Sequence, residues 1–514
     1  MKKLFSTILI IIGIALAFIV IGITVLACSP KTSIFGYYFV SDKTEINKLI
    51  DNVDSSTLKT LNINADRFDI TIEKSSILDN KISVQGKSDF MGLVKARKGE
   101  DVVRTATMNK QFDSSTKSLT LSTVEPNGII VKTKLYLKII VGSNLSLDNI
   151  NINVNGSNFK INDDVTISTN NLEINKTSTK GNIAIGNLQI NNSATISNNA
   201  GQIDLTKAQT ENADVTIKTR IGTYTLKNVK NLTVESPVTP YITVENIGGE
   251  LKYIADSGKL NAGVISGSSL IWSNSASVNI NTLTNTFMVK DYKGTGTPKS
   301  LSLYIKNIGI EGGQRQIINL DRGSIKIDNV KVPLELNITS GDINIGTDTN
   351  STVKISSNVT LTTKTGNINA HFNTAKVCKA VITSNSGRIN VYGLNVGAGS
   401  VIETTSESPI YAELAKVSNN IEFKGQYTKA INVKVNELEN INYDILTKKG
   451  KTISMNILGQ DLKFDAKKVE DIPTTVNGLT VADENEMFGF KFNKSSSAST
   501  IKILSYANVK VEKF

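Results

Sequence analysis

The chain has 514 residues, 39% hydrophobic and 20% charged, and a net charge of +11. That is enough apolar material for a large folded body, and the mild excess, carried mainly by lysine, does not by itself call for a polyanionic partner. Two cysteines, Cys28 and Cys378, exclude a disulfide framework.

Residues 4–27 are almost continuously apolar, and no charge lies between Lys3 and Lys31. About 20 apolar residues cross a bilayer as a helix, whereas a cleaved secretory signal has an apolar region of about 7–15 residues. A transmembrane anchor over 1–28 is therefore expected, with Lys2 and Lys3 on the cytoplasmic side and the C-terminal body outside. "VLAC" at residues 25–28 also resembles a bacterial lipobox, so a lipoprotein anchored through Cys28 is the alternative. Either way the body is tethered to a cell membrane. Residues 29–60 read as a juxtamembrane linker. Within it Asp42 precedes Glu45 at capping-box spacing, and Ile46, Leu49, Ile50 and Val53 mark one face of a short helix.

From residue 61 the dominant period is two, in segments rich in Ile, Val, Thr and Leu, and only eight prolines occur in the whole chain. A glycine followed by alternating apolar residues then recurs. It appears as "KGNIAI" at Gly181, "AGQIDL" at Gly201, "IGTYTL" at Gly222, "RGSIKI" at Gly323, "SGDINI" at Gly341, "TGNINA" at Gly366 and "SGRINV" at Gly387, with looser versions at Gly249 and Gly258. Steps of 20 and 21 residues recur within this series, and Ser408 in "ESPIYA" keeps the step without the glycine. A repeat of this length holding two or three short strands is one coil of a parallel β-solenoid. Each glycine marks a corner, where a positive φ costs it little. The second and fourth residues after it, as in Ile183 and Ile185, then point inward. Asn182 and Asn367 are candidates for ladders of stacked amides. The fold expected is all-β: a solenoid body over 61–475 of about 20-residue coils, with 476–514 as strands closing its far end. Residues 61–142, less regular, cap the membrane-proximal end, since an open coil exposes unpaired edges. Cys378, Ala380 and Ile382 form one alternating set, which makes Cys378 a small core residue.

The "T-x-x-G-x-I-x-I" phrase at Gly181, Gly341, Gly366 and Gly387, together with the N-terminal apolar segment, resembles the bacterial putative-adhesin family of membrane-anchored envelope proteins. These carry a domain of unknown function with β-strand repeats. The resemblance covers roughly residue 61 to the C-terminus, weakly around "NTFMVKDYKGTGTPKS". It implies a β-solenoid ectodomain with an adhesive or envelope role, and it supplies no catalytic motif.

Catalytic chemistry has few candidates. His371 is the single histidine, and no metal-ligand spacing, Walker loop or Rossmann fingerprint accompanies it. A polysaccharide-cleaving β-helix would need two facing carboxylates and a base. Asp342, Asp348 and Glu403, with Lys364 and Arg388, supply the residue types but at no repeated offsets. Glycan binding needs aromatic platforms, yet Tyr392 and Tyr411 sit at different offsets from their corners and Trp272 is single. Lys448–Lys451 reads equally as a basic cluster or a polar turn. Nucleic acid is disfavoured, since no aromatic–basic pattern is present.

The reading is therefore a non-enzymatic, membrane-anchored, extracytoplasmic solenoid, without cofactor or metal. Its expected partners are the membrane and anionic envelope or extracellular glycopolymers or surface proteins. A structural spacer or envelope-stress accessory is the alternative, and a polysaccharide-cleaving enzyme stands behind both.

Overall fold

The computed structural model describes residues 2–28 and 37–513, apart from 51–52, 54–55, 76–80, 96–106, 125–127, 143–144, 157, 180, 294–299, 348–352, 427–428, 439, 458–459, 466–478 and 485. The chain divides into two compact units, Met1–Asn228 and Val229–Phe514.

One helix, Lys2–Cys28, opens the first unit. Its described side chains, residues 8–22 and 24, are nearly all solvent-exposed, including Ile10, Ile11 and Phe18. Among the described residues no helix is long and apolar enough to cross a membrane. The side chain of Cys28 lies outside the described residues.

Of the short helix read over 42–53, residues 42–50 are instead strand, and 51–52 lie outside the described residues. Tyr37–Ile50 pairs antiparallel with Ile82–Lys95 along its whole length. Thr44, Ile46 and Ile50 are β-branched, and a long neighbouring strand supplies the ladder, so pairing overrides the local capping pattern.

Within the first unit each coil contributes two successive strands that pair, parallel and in register, with those of the next coil. Leu145–Asn155 and Phe159–Ile161 are followed by Ile167–Lys176 and Ile183–Ile185, then by Leu188–Asn198 and Gln202–Leu205. Inward positions are apolar and buried: Ile152, Ile174 and Ile196 stack in one row, and Phe159, Ile183 and Ile203 in another. Each such side chain contributes ~1.5–3 kcal/mol by leaving water.

The second unit repeats the plan over more coils. One inward row runs Ile242, Leu260, Val278, Leu303, Ile325, Ile343, Ile368, Ile389, Ile410, Ile431 and Val509, all of them buried. Partners stand 18 residues apart at Leu260 and Val278, 25 at Ile343 and Ile368, and 21 at Ile368 and Ile389. The coil is thus an average of about 20 residues with variable connections. From residue 316 onward a second parallel sheet faces the first, built on Gln316–Val330, Leu334–Ser340, Val359–Thr365, Ala380–Ser386 and Ser400–Thr404.

The corner between the two sheets explains the glycines. Gly341, Gly366 and Gly387 have φ of 140°, 148° and 153° and lie directly over one another. A Cβ on Gly366 would sit 2.0 Å from the Gly341 carbonyl oxygen, and one on Gly387 would sit 1.9 Å from that of Gly366. No side chain fits between such corners. On the next coil Ser408 takes over differently, its Oγ accepting the Gly387 N–H at 3.0 Å. Gly181, Gly201 and Gly323 also have positive φ. Gly222 does not: it lies inside the strand Ile221–Ser236, packed against the ring of the buried Tyr224.

Each unit ends in a similar device. In the first, the strand Thr60–Asp66 lies between Ser118–Val124 and Leu145–Asn155, and Asp69–Lys74 lies between Gly128–Val141 and Phe159–Ile161. In the second, Thr500–Ser505 lies between Ile421–Gly425 and Asn442–Lys448, and Asn508–Lys513 between Ala430–Val435 and Thr452–Ile457. Beyond each inserted coil the ladder turns antiparallel, through Thr107–Asp113 and Ile82–Lys95 at one end and Met487–Phe492 and Gln460–Asp465 at the other. Antiparallel hairpins terminate a stack that would otherwise offer open parallel edges.

Gly366→Ala is expected to cost at least ~1–3 kcal/mol, seen as a lower thermal midpoint. Gly248→Ala, whose Cβ meets nothing nearer than 3.8 Å, should unfold close to wild type. Equal midpoints for the two variants would contradict the corner account.

Candidate functional site

The inward rows are mostly apolar, and their polar members, such as Thr363, Ser384 and Thr404, are buried, so groups open to a ligand lie on the outward rows. The outward row beside the Ile368–Ile389 core reads Thr243, Asn261, Asn279, Tyr304, Lys326, Asn344, Asn369, Asn390, Tyr411, Asn432 and Lys510. Parallel strands place equivalent residues about 4.8 Å apart, close enough for amides to join. Asn369 Nδ2 donates to Asn344 Oδ1 and Asn390 Nδ2 to Asn369 Oδ1, both at 2.7 Å. Amide ladders therefore exist, but not at the residues first read as forming them. Asn182 gives its backbone N–H to Asn158 Oδ1, while Asn367 gives its own to Asp342 Oδ1 and accepts the Arg388 N–H.

Two residues further along the strands runs a second outward row. His371 and Tyr392 are register partners and stack at 4.4 Å between ring centroids. Tyr392 and Tyr411 follow at 5.5 Å. Tyr411 stands opposite Asn390, not Tyr392, yet the diagonal neighbour across a strand pair is within reach of an aromatic ring. The unequal offsets from the corners thus conceal a real stack. Lys434 Nζ lies 5.7 Å from the Tyr411 ring, and the Tyr411 hydroxyl donates to the Glu413 carboxylate.

The electrostatics follow from this packing. Burial lowers the His371 imidazole below its ordinary value, the Lys354 charge adds to that, and Glu413 opposes it. A neutral ring is the form that stacks here. Burial raises the Tyr411 hydroxyl, and its bond to Glu413 raises it further. His371 and Tyr392 present ring edges and polar groups along this row.

Two open clefts flank the strand Ile389–Val396. One, of ≈ 550 Å³, is lined by Asn367, Asn369, Arg388, Asn390 and Ser408. The other, of ≈ 600 Å³, is lined by Lys354, His371, Tyr392, Glu413 and Lys416 among others.

The remaining candidates disperse. Asp342 precedes Ile343–Ile345 on one sheet, whereas Glu403 is in Ser400–Thr404 and Lys364 in Val359–Thr365 on the other. Asp348 lies outside the described residues. A pair of facing carboxylates is therefore not assembled from Asp342 and Glu403. Trp272 has Lys252 Nζ at 5.9 Å and Lys290 Nζ at 6.0 Å from its ring, which leaves it a poor platform. Lys448–Lys451 forms the turn joining Asn442–Lys448 to Thr452–Ile457. Cys378 is fully buried beside Ala380 and Ile382, and burial raises its thiol to about 11. Among the described residues no group of three or more His, Cys, Asp or Glu is placed to hold a metal ion.

No protein-family model matches the chain, and neither does any curated protein sequence. A solved structure of a putative cell adhesion protein from Clostridium sporogenes is similar over 92% of this chain and 100% of its own, at 7% identity and a TM-score of 0.15. Similarity that low carries no argument about function.

Because the protein has one histidine, its imidazole resonances report this stack alone. They should titrate with a midpoint below the ordinary ~6.5. Since the folded state holds the ring neutral, stability is complete above that value and falls as the pH drops towards the folded midpoint. A midpoint raised above it would show that Glu413, not burial, governs the ring.

Proposed function

We propose that the chain is a membrane-anchored, extracytoplasmic β-solenoid that binds envelope or extracellular glycopolymers without catalysis. The observation that carries this reading is the outward surface around Ile389–Val396. Amides, ring edges, an arginine and lysines there line two clefts side by side on the same strands, while the inward rows are mostly apolar and buried. Polar groups at fixed spacing, donating and accepting beside apolar ring edges, suit sugars, which present hydroxyls and apolar C–H faces together.

Anchorage is supported by the uncharged run of residues 4–27 and by the exposed apolar side chains of the N-terminal helix. Lipid would cover the apolar side chains that the described part of this helix exposes. A lipid on Cys28 is the alternative tether.

The test uses the full chain in its native host. It should stay with membranes through alkaline washing and lose that association when residues 2–28 are deleted. Cys28→Ala should leave anchorage unchanged; release of that variant would favour the lipid tether. Purified in detergent, the full chain should bind envelope polysaccharide fractions at both low and raised salt. Binding to no fraction would contradict the adhesive reading and favour a spacer.

A further inference from the structure

We propose that the two clefts beside Ile389–Val396 form one extended site for a linear acidic glycan, whose anionic groups pair with Arg388 at one end and with Lys354 and Lys416 at the other. This rests on the glycopolymer-binding reading above and gives it a place and a ligand class.

The clefts are neighbours on one face. Asn369 and Asn390 line the first, and His371 and Tyr392, two residues further along the same strands, line the second. Two residues of strand advance ~6.6 Å on the same face, and the four from Arg388 to Tyr392 advance ~13 Å. A chain of sugars lying along the strand direction therefore meets both clefts, whereas a single sugar fills only one.

Charge selects the class. Of the charged side chains lining the clefts, Arg388, Lys354 and Lys416 are cationic, and Glu413 alone is anionic, its carboxylate already accepting the Tyr411 hydroxyl. Asp342, one coil away, is engaged by the Asn367 N–H. Arg388 uses its backbone N–H within the fold, and its guanidinium has no ion pair among the described residues. A planar fork in that position matches a carboxylate or phosphate.

The neutral part of the ligand is also provided for. The amide ladder of Asn344, Asn369 and Asn390 stops at the next coil, because Tyr411 replaces asparagine in the row. Asn390 has given its Nδ2 to Asn369, and its Oδ1 has no donor among the described residues. A sugar hydroxyl supplies that donor. The stacked rings of His371 and Tyr392 shield each other's faces, so they offer their edges to the second cleft and bound it as an apolar wall.

The experiment measures binding of the full detergent-purified chain to three oligosaccharides of matched length: a polyuronate, a sugar–phosphate polymer and a neutral glucan. One or both acidic oligomers should bind at least ~10-fold tighter than the glucan, and the tighter of the two identifies carboxylate or phosphate as the source. Arg388→Ala and Lys416→Ala should each weaken acidic binding by about tenfold, as expected for loss of one charge-assisted bond. Lys259→Ala, on a distant coil of the same sheet, should leave it unchanged. Both test side chains are at the surface, and an unchanged thermal midpoint verifies folding. Acidic binding that survives both substitutions would overturn this site while leaving glycopolymer binding in place. Equal binding of the glucan would overturn the ligand class, and binding of none of the three would overturn both readings.

Discussion

The close stacking of corner backbones is the constraint on which the second unit depends. Where Gly341, Gly366 and Gly387 lie over one another, the carbonyl of one coil occupies the space in which a side chain of the next would start. There the chain passes from one sheet to the other without spreading the coils apart. Once the corners stack, the strands on both sides fall into parallel register, and the inward rows from Ile325 to Val509 close into continuous apolar columns. Burial then supplies the stability, and the ladders satisfy the backbone. Ser408 is instructive as the exception: its hydroxyl takes over the bond that a backbone carbonyl makes at the neighbouring corners.

This division of labour sets where function can reside. Inward positions are mostly apolar and are closed to solvent, so they present nothing to a ligand. Outward positions are free to differ, and their differences cluster. Asparagine is the default in the outward row; Tyr304, Lys326 and Tyr411 interrupt it. The interruption at Tyr411 coincides with the His371–Tyr392 stack, the arginine at 388 and both clefts. A repetitive scaffold thereby presents one locally distinctive surface on rigid strands.

Much of this was legible in the sequence. Period two and the recurring glycine dictate strands and corners, and Ile183, Ile185 and Cys378 are buried where alternation puts them. What was not legible depends on partners distant in the chain. Residues 42–50 have a helical pattern, but the strand Ile82–Lys95 determines their state. Nothing local announces that the strand Thr60–Asp66 sits between two later strands, or that Thr500–Ser505 inserts ahead of Asn442–Lys448. Gly222 matches the phrase and lacks the conformation, because Tyr224 requires the space. The aromatic stack was hidden for a related reason: Tyr411 pairs with Asn390 and reaches Tyr392 only on the diagonal, so equal offsets from the corners do not reveal it.

The central claim is that the outward rows around Ile389–Val396 are the recognition surface and that the rest of the fold holds them in place. Backbone hydrogen exchange of the full chain, alone and with a purified anionic envelope polysaccharide, tests it most directly. The account predicts added protection confined to residues 353–356, 367–374 and 387–416, with exchange in 167–205 unchanged. Protection appearing only elsewhere, or spread evenly over all coils, would contradict it.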